Sequence, residues 1–493
     1  MKVLLAGFNI DTEVLAERAK VKRIDVTPET ISAAYARISR SPLPVDQLRK
    51  IARKEVVKAR QSNRTIIFEM GHHSVAEHAV FNLDIIGVSR LAVEEIEKFR
   101  LNSYTEKSQR YVTLKGDYVV PRELRNSKYL DDYLELIELQ NRTYKHLFER
   151  LKEKNLSLLK RKNLDRAQLR NIENRVKEDA RYILSLATQT QLGMTINGRN
   201  LELMLRRFSA HPLAEVRELG TEIYQQIKEV APSIIIFHRA GAYEKDTFPK
   251  NIYREKERSC PKSVTLIDYT RNGDDMIIAA LMNSTSQAPF KVALSRVKKM
   301  GWHERQEFLK ARLKNLQLYD ALPREFEYAC LTFELIVSAS CFAQLKRHRI
   351  ATITSQLYDP DLGVTIPEAV KRAGEEKRFY DIIRKAETVY KKIKKEKNEM
   401  IAQYLLTNSH RRRVLFSCNL RELYHISRLR EDMSAQWDIR KIVGAMVAEA
   451  KRVMPLTSFL IGGKDRFPQI YHGVYGKYPR VIKGKLPGIR RIR

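Results

Sequence analysis

Cysteine is scarce in this sequence, and the few cysteines form no recognisable pattern. Cys260, Cys330, Cys341 and Cys418 include no Cys-x-x-Cys pair. The spacing fits neither a disulfide framework nor a zinc knuckle. It therefore predicts reduced thiols in a cytoplasmic protein.

Long apolar runs are also missing. A membrane span needs a window of about 18 or more apolar residues, and the sequence has none. The chain starts with the short apolar run MKVLLAGFNI, which is followed by Asp11 and Glu13. We interpret this start as a buried strand and not as a signal peptide, and we expect no membrane partner.

Acidic residues are too few to balance the basic ones. The 59 Asp and Glu residues against 91 Lys and Arg leave a net charge of +32. This excess predicts either a polyanionic partner such as RNA, with a basic tail at 477–493 as a docking arm, or a solvated basic surface. Both interpretations stay open. Apolar residues make up 43% of the chain, which excludes disorder throughout.

The length of 493 residues invites a search for an internal repeat. SRLAVEEIEKFRLNSYTEKSQRY (89–111) is similar to SASCFAQLKRHRIATITSQLYD (338–359), about 250 residues later. TINGRNLELMLRRF (195–208) is similar to FSCNLRELYHISRL (416–429), and Asn197 then matches Asn419 at a spacing of 222. The shorter second spacing implies an insertion in the first copy.

These spacings predict two copies of one domain, each of a size that is usual for a single core. The first copy is placed at 1–245 with a helical insertion near 141–170. A charged linker follows at 246–262, then the second copy at 263–476 and the basic tail.

Apolar patterns in both halves predict strands mixed with long helices. The runs KVLLAGF and SVTLIDY open the halves as strands, and further strands are predicted at 81–88 and 331–338. Amphipathic stretches predict helices at 130–155, 215–231, 375–405 and 434–453. The predicted fold class is α/β (α+β).

The segment GHHSVAEH, from Gly71 to His78, places three histidines, a hydroxyl and a carboxylate close together. In a helix His73 and Glu77 would share a face and could ligate a metal. Alternatively, Ser74 caps a helix with Glu77 as its capping-box partner. We favour the cap and predict no metal, although the segment is more polar than a cap requires.

Three further segments combine basic and polar side chains. In SYTEKSQRY (103–111), an extended loop would point Glu106, Ser108 and Arg110 the same way, as a phosphate site needs, although a polar turn has similar residues. LKRHRIAT (345–352) sets a basic cluster between apolar neighbours, which disfavours a purely solvated face. SCNLRELYHISRLREDMSAQWDIR (417–440) interleaves asparagine, arginine and histidine with leucines at helical spacing.

Taken in order, these segments resemble the motifs of the flavin-dependent thymidylate synthases (ThyX). The family signature R-H-R-x-x-S-x-N-E-x-S-x-R-Y is similar to Arg347–Arg349 at its front and to Ser103–Tyr111 at its back. The family's GHxSxxEH is intact at 71–78, and its N-x-R is similar to Asn419–Arg421. The resemblance covers nearly the whole chain. It implies two ThyX-like domains, each a mainly antiparallel sheet with long helices.

The two copies depart from the family pattern at different positions. The first copy has Lys98-Phe99-Arg100 at the signature front and Thr105 for the family's asparagine. The second has Ser355, Leu357 and Asp359 in place of the family's Glu, Ser and Arg. Family members are homotetramers with active sites between subunits. The resemblance therefore implies one composite site between the two domains and a homodimer of this chain.

The resemblance also implies a role for individual residues, with Arg430 as the catalytic residue. Substrate-binding residues would be Gln344, Arg347, Glu106, Ser108, Gln109, Arg110 and Arg181. FAD-binding residues would be His72, Ser74, Glu77, His348, Arg349, Ile350, Asn419, Arg421 and His425.

The implied reaction is reductive methylation of dUMP at C5. Methylenetetrahydrofolate would give the carbon, and FAD reduced by NADPH would give the hydride. Two alternatives stay open. One is a flavin- and folate-dependent enzyme acting on another uracil-containing substrate such as RNA, and the other is a non-catalytic nucleotide- or flavin-binding homologue.

Overall fold

The chain forms two four-stranded antiparallel sheets of the same strand order, β1-β2-β4-β3 and β5-β6-β8-β7. The computed structural model describes residues 1–14, 27–112, 114–158, 165–246 and 262–480. The strands are β1 (Lys2–Phe8), β2 (Val80–Ser89), β3 (Ser103–Glu106), β4 (Gln189–Asn197), β5 (Val264–Tyr269), β6 (Cys330–Ser338), β7 (Thr352–Ser355) and β8 (Arg411–Asn419).

Helices fill the segments between the strands in both halves of the chain. In the first half they are α1 (Glu29–Arg37), α2 (Val45–Lys54), α3 (Val56–Arg64), α4 (Arg90–Ile96), α5 (Leu130–Leu158), α6 (Arg166–Ala180), α7 (Gly198–Ser209), α8 (Ala214–Ile227) and α9 (Ala242–Asp246). In the second half they are α10 (Gly273–Ser284), α11 (Phe290–Lys299), α12 (Trp302–Leu313), α13 (Ala339–Leu345), α14 (Glu368–Arg372), α15 (Glu376–Glu396), α16 (Glu399–Ala402), α17 (Leu420–Arg430), α18 (Trp437–Val453) and α19 (Phe467–Tyr475).

The chain divides into two compact units that do not follow the order of the halves. Unit 1 consists of Met1–Lys256 together with Gly363–His410, and unit 2 consists of Glu257–Leu362 together with Arg411–Arg493. The first sheet lies in unit 1, and the second lies in unit 2. Helices α14 to α16, which the second half supplies, therefore belong to the unit of the first half.

The two sheets repeat the same local devices for starting helices. Ser89 ends β2, and its hydroxyl accepts from the backbone N–H of Ala92 (2.9 Å); Ser338 does the same at the end of β6 with Cys341 (3.0 Å). Asn197 caps α7 through Asn200 (3.0 Å) and Asn419 caps α17. These side chains satisfy N–H groups that the first helical turn leaves without partners. The predicted fold class is confirmed.

Within unit 1, the segments before β4 and β8 pair with each other. The Leu186 N–H donates to the Leu406 carbonyl (2.8 Å), and the Asn408 N–H donates to the Leu184 carbonyl (2.9 Å). Both segments follow a single 3-10 turn, Arg181–Ile183 in one case and Gln403–Leu405 in the other. Most of their side chains are buried, so this pairing is part of the core of unit 1.

The first strand differs from its prediction. We expected MKVLLAGFNI to be a buried strand, but β1 lies at the edge of its sheet, and of its residues only Val3 is fully buried. Alternate residues of the central strand β2 are also exposed, so one face of the sheet is open to solvent, and β1, which has a neighbour on one side only, is covered still less. The apolar run alone does not distinguish this position from a central one.

The other predicted elements are present with shifted ends. The strands at 81–88 and 331–338 correspond to β2 and β6, and the helices at 130–155, 215–231 and 434–453 correspond to α5, α8 and α18. The helix predicted at 375–405 is interrupted and becomes α15 and α16.

The additional length of the first half lies in two helices. Helices α5 and α6 contain 29 and 15 residues, whereas α15 and α16 contain 21 and 4. The domain boundaries inferred from the sequence stay a prediction. Residues 247–261 of the predicted linker and 481–493 of the basic tail lie outside the described residues. In the described part, no helix is long and apolar enough to span a membrane.

Candidate functional site

Arg181 lies at the centre of a polar cluster in unit 1. It begins the 3-10 turn between α6 and β4, and only 6% of its surface is exposed. Asn408 donates from Nδ2 to the Arg181 carbonyl oxygen (2.9 Å) and to Gln109 Oε1 (3.2 Å). We call Gln109, Arg110, Arg181 and Asn408 the Arg181 cluster.

The guanidinium of Arg181 is buried without full hydrogen bonding. Its Nε and one Nη have no partner among the residues that the structure describes. Burial lowers the pKa of Arg181, and the neighbouring charges of Arg110 and Arg90 act in the same direction. A buried cation with unused donors is costly. The environment is therefore suited to an anion with several acceptor oxygens, such as a phosphate.

The segment after β3 provides the other substrate-side residues, but not as an extended loop. Glu106 ends β3 and accepts from Arg90 and from Thr190 (3.2 Å). The chain then turns at Ser108, whose carbonyl accepts from Val112 (3.1 Å), and Arg110 pairs with Glu178 (2.8 Å). The expectation that Glu106, Ser108 and Arg110 point the same way in an extended loop is wrong, because the strand ends at Glu106.

The corresponding segment of the second half, in unit 2, packs against Arg412 of its own half. Arg412 is the second residue of β8, as Thr190 is of β4. Its guanidinium lies 4.1 Å from the ring centre of Tyr358 and 4.7 Å from that of Phe342, and its Nε donates to the Gln356 carbonyl (2.7 Å). Tyr358 is fully buried. This stack is a cation–π arrangement between side chains of the second half.

The histidine-rich segment of the first half forms a 3-10 turn, His73–His78, in unit 1. Its N-cap position is His72, and no side chain caps it, so the predicted Ser74 cap with a Glu77 capping box is wrong. Glu77 instead pairs with Arg199 (2.7 Å). A 3-10 turn has no room for the capping-box geometry, which needs a full α-helical turn.

His72, Ser74 and Glu77 are exposed in this turn, as a ligand-binding segment requires. Gly198, at the start of α7, packs against the turn from behind. A Cβ at that position would lie 2.8 Å from the Ala76 carbonyl oxygen, so glycine permits the close approach. Among the described residues, no three His, Cys, Asp or Glu side chains form a metal-type group.

A second polar cluster lies in unit 2, around the buried His348. Its Nδ1 is 3.4 Å from Glu422 Oε1, and its Nε2 accepts from Arg430 Nε (3.1 Å). The His425 ring lies 6.2 Å from the His348 ring. These contacts place the proton of a neutral His348 on Nδ1 and orient Arg430. We call His348, Glu422, His425 and Arg430 the His348 cluster.

Arg421 lies apart from the His348 cluster. It is at the start of α17 and Arg430 is at the end, so about 13 Å of helix separates them. Arg421 pairs with Glu327 (3.1 Å) and donates to the Leu322 carbonyl (2.6 Å), and Asn419 accepts from the Glu422 N–H (2.8 Å) as the cap of α17. The helical spacing therefore does not bring all four predicted residues of this segment together.

The remaining predicted residues of unit 2 differ in exposure. Gln344 is buried and donates to Gln436 Oε1 (3.0 Å), while Arg347, Arg349 and Ile350 are exposed. The structure thus divides the basic cluster at 347–349 into one buried histidine and two outward arginines.

The described cysteines are unsuited to nucleophilic catalysis. Burial raises the pKa of Cys330, Cys341 and Cys418, so all three thiols are protonated at neutral pH. A thiol rather than a thiolate is a poor nucleophile.

Comparison with known proteins identifies the family of this chain. The family model described as thymidylate synthase complementing protein matches residues 22–233 and again 265–456. The chain belongs to this family. It contains the family's domain twice, as a tandem duplication, which confirms the resemblance seen in the sequence.

Individual relatives fall into two groups. A UPF0159 protein of Thermoplasma acidophilum is 26% identical over 81% of this chain and 87% of its own length. A flavin-dependent thymidylate synthase of Clostridium tetani is 30% identical over 44% of this chain and 84% of its own. The solved structure of the Helicobacter pylori enzyme ThyX, complexed with FAD and dUMP, matches 48% of this chain and all of its own, with 19% identity and a TM-score of 0.29.

Several residues of the site were not predicted from the sequence, because their role is to hold the predicted residues in position. Asn408 and Glu178 hold the Arg181 cluster, Glu422 orients His348, and Gln436 holds Gln344. Gln436 and Glu422 lie inside the segment 417–440, so its density of polar residues was a usable signal. Asn408 lies 227 residues from Arg181, and no local pattern connects them.

Proposed function

We propose that the protein is a flavin-dependent thymidylate synthase, which methylates dUMP at C5 with methylenetetrahydrofolate and NADPH. The observation that carries the proposal is the buried guanidinium of Arg181, whose Nε and one Nη have no partner in the described residues. Family membership gives the reaction class, and the Arg181 cluster gives the place for an anionic nucleotide.

Phosphate binding would fall to the Arg181 cluster. Arg181 and Arg110 supply charged donors, and Asn408 holds the backbone of Arg181 and the amide of Gln109. A phosphate dianion would offset the burial that lowers the pKa of Arg181. Fixed donors of this kind also restrict where the uracil ring can lie, because the phosphate and the ring belong to one molecule.

Arg430 would stabilise negative charge on the uracil ring. The hydrogen bond to His348 Nε2 engages Nε of Arg430, and Glu422 fixes the ring of His348. A preorganised guanidinium beside developing charge makes C5 nucleophilic without a covalent adduct. The protonated thiols of the described cysteines agree with such a mechanism.

The donors of unit 2 fit an anionic dinucleotide such as FAD. His425 and Arg349 are exposed beside a buried histidine whose own hydrogen bonds fix its tautomer, and cations and N–H donors suit a diphosphate. The family resemblance also assigns His72, Ser74 and Glu77 to flavin binding. FAD, when bound, supplies the hydride-transfer chemistry. The proposal requires both halves, since neither carries the full residue set in its sequence.

The direct test is turnover of purified full-length protein. We expect bound FAD in its visible absorption spectrum, and release of tritium from dUMP labelled at C5 when NADPH and methylenetetrahydrofolate are added. Arg181→Met should lower kcat/KM for dUMP by about 100-fold, because it removes a buried charged donor set.

The matched control is Arg175→Met, which removes an exposed arginine of α6 six residues earlier and should leave turnover unchanged. A colourless protein without affinity for dUMP would overturn the proposal, because it would bind neither the cofactor nor the substrate. Flavin binding without turnover of free dUMP would instead support an enzyme with another uracil-containing substrate.

A further inference from the structure

The solvent face of α11, in unit 2, carries positive charge without any acidic residue. The segment from Asn283 to Met300 contains no Asp or Glu. Lys291, Arg296, Lys298 and Lys299 are all exposed on α11, while Ala293 and Val297 face the core. None of the four basic side chains forms an ion pair or hydrogen bond with another described residue. By contrast, Lys128, Lys392 and Lys394 elsewhere in the chain are each paired with a carboxylate.

An exposed tryptophan lies at one end of this basic helix. Trp302 begins α12, three residues after Lys299, and is 58% exposed. Arg305 holds the backbone just before Trp302, because Arg305 Nε donates to the Met300 carbonyl (3.0 Å) and an Nη pairs with Asp275 (2.8 Å). A large exposed aromatic ring offers a flat face that suits stacking on a planar ligand.

An aromatic cleft of about 680 Å³ lies at the other end of α11. Phe290, the first residue of the helix, lines it together with Tyr328, which is 62% exposed. Its carboxylates are already engaged: Glu327 pairs with Arg324 and Arg421, and Glu325 accepts from Ser284. About 15 Å of helix separates the two aromatic ends.

We propose that α11, with Trp302 and the cleft of Phe290 and Tyr328, binds single-stranded nucleic acid. Backbone phosphates contact the four basic side chains, and bases stack on Trp302 and on Tyr328. This combination of cations and aromatic rings is the general means by which proteins hold single strands without sequence preference. An acidic peptide would use the charges but would leave the two aromatic positions without a role.

The experiment measures binding of a fluorescein-labelled 20-nucleotide oligo(U) to the full-length protein by anisotropy, without NADPH or folate. We expect binding that weakens with salt and quenches the fluorescence of Trp302. Trp302→Ala should weaken binding at least about fivefold, and Trp302→Phe should restore most of it. Lys298→Ala with Lys299→Ala should reduce the slope of log affinity against log salt by about 1.4 units.

The matched control is Lys50→Ala with Lys54→Ala, which removes two exposed lysines four residues apart on α2 of unit 1. It should leave oligo(U) affinity and the salt slope unchanged. Equal losses in both double variants would overturn the proposal, because binding would then follow net charge alone. Equal binding of polyglutamate, with no effect of Trp302→Ala, would also overturn it, in favour of an acidic protein partner. The flavin absorption spectrum and tritium release from dUMP need not change in either case, so failure of this proposal is separable from failure of the proposed enzyme activity.

Discussion

Ser185 and Thr407 form an antiparallel bridge in unit 1, and they are counterparts in the two copies. They are 222 residues apart, the same spacing that relates Asn197 to Asn419 at the ends of β4 and β8. Each copy therefore contacts the other through the same segment, as the two subunits of a symmetric dimer do. The covalent duplication retains a contact of the kind that forms between identical chains.

This bridge predicts that the first half does not fold alone as a monomer. Residues 1–246 lack Gly363–His410, so the buried segment before β4 would be without its partner. We expect the isolated fragment to aggregate or to form a dimer in which 184–188 pairs with itself. Size-exclusion chromatography with light scattering measures this. Co-expression with residues 262–493 should restore a 1:1 complex, and a monomeric fragment with cooperative unfolding would contradict the prediction.

Tyr404→Phe should destabilise unit 1. The Tyr404 hydroxyl donates to Glu215 Oε2 (2.6 Å), and Ser89 donates to the same carboxylate through its N–H and hydroxyl (both 2.7 Å). Burial raises the pKa of Glu215, so the loss of a donor leaves a costly buried carboxyl group. We expect the free energy of unfolding in urea to fall by about 1–3 kcal/mol. Tyr319→Phe, at an exposed tyrosine, is the control and should change little.

Glu95→Gln should make stability less dependent on acid pH. Burial alone would raise the pKa of Glu95, but Lys98 at 2.7 Å and His211 at 3.3 Å outweigh it, and the net pKa is lowered. The ionised carboxylate therefore stabilises the folded state above its unfolded pKa, near 4.3, and this stability is lost as pH falls further. We expect a loss of about 2 kcal/mol at pH 7 that shrinks below about pH 4.

The control for this prediction is Glu307→Gln, which breaks the exposed pair with Lys310 at the same three-residue spacing. Exposed pairs contribute little, so the stability of this variant should follow that of the unchanged protein across the pH range. Urea unfolding from pH 3 to pH 8 measures both. A Glu95→Gln difference that persists unchanged at acid pH would contradict the assignment.

Asn408→Ala should weaken dUMP binding without loss of flavin. Asn408 touches Gln109 and the Arg181 carbonyl, so its removal loosens the Arg181 cluster rather than the His348 cluster. We expect about a tenfold rise in the dUMP dissociation constant and an unchanged flavin content. Calorimetric titration and the absorption spectrum measure the two quantities. Asn315→Ala, an exposed asparagine of unit 2, is the control.

Arg430→Ala should reduce kcat for tritium release by about 100-fold or more, because charge stabilisation on the uracil ring would be lost. The dUMP dissociation constant should change far less than kcat. Ser209→Ala, near the matching position of the first copy, should have little effect. Equal losses in the two variants would show that the active residues had been assigned to the wrong copy.

The sequence predicted the repeat and most elements because both leave periodic apolar patterns. The run from Val80 to Ser89 alternates as β2 requires, and the polar caps Ser89 and Ser338 precede matched helices. Local patterns failed where several conformations suit the same residues. GHHSVAEH fits a capped α-helix as well as the 3-10 turn that it forms, and packing against Gly198 decides between them.

The site was predictable in its basic residues but not in their partners. Arg181, His348 and Arg430 stand out through the family resemblance. Their positions depend on contacts across the chain, such as Asn408 to Arg181 and Arg430 to His348, which no short motif encodes. Residues 363–410 come from the second half but belong to unit 1, and no local pattern predicts that assignment.

The stack of Arg412 on Tyr358 and Phe342 makes the divergence of the second copy hard to reverse. Shortening Arg412 alone would leave a buried tyrosine above an empty space, and replacing Tyr358 alone would leave a buried cation. Either single step is destabilising, so replacement of the stack would need simultaneous substitutions. Because single substitutions in the stack are destabilising, this packing favours the retention of two unequal halves.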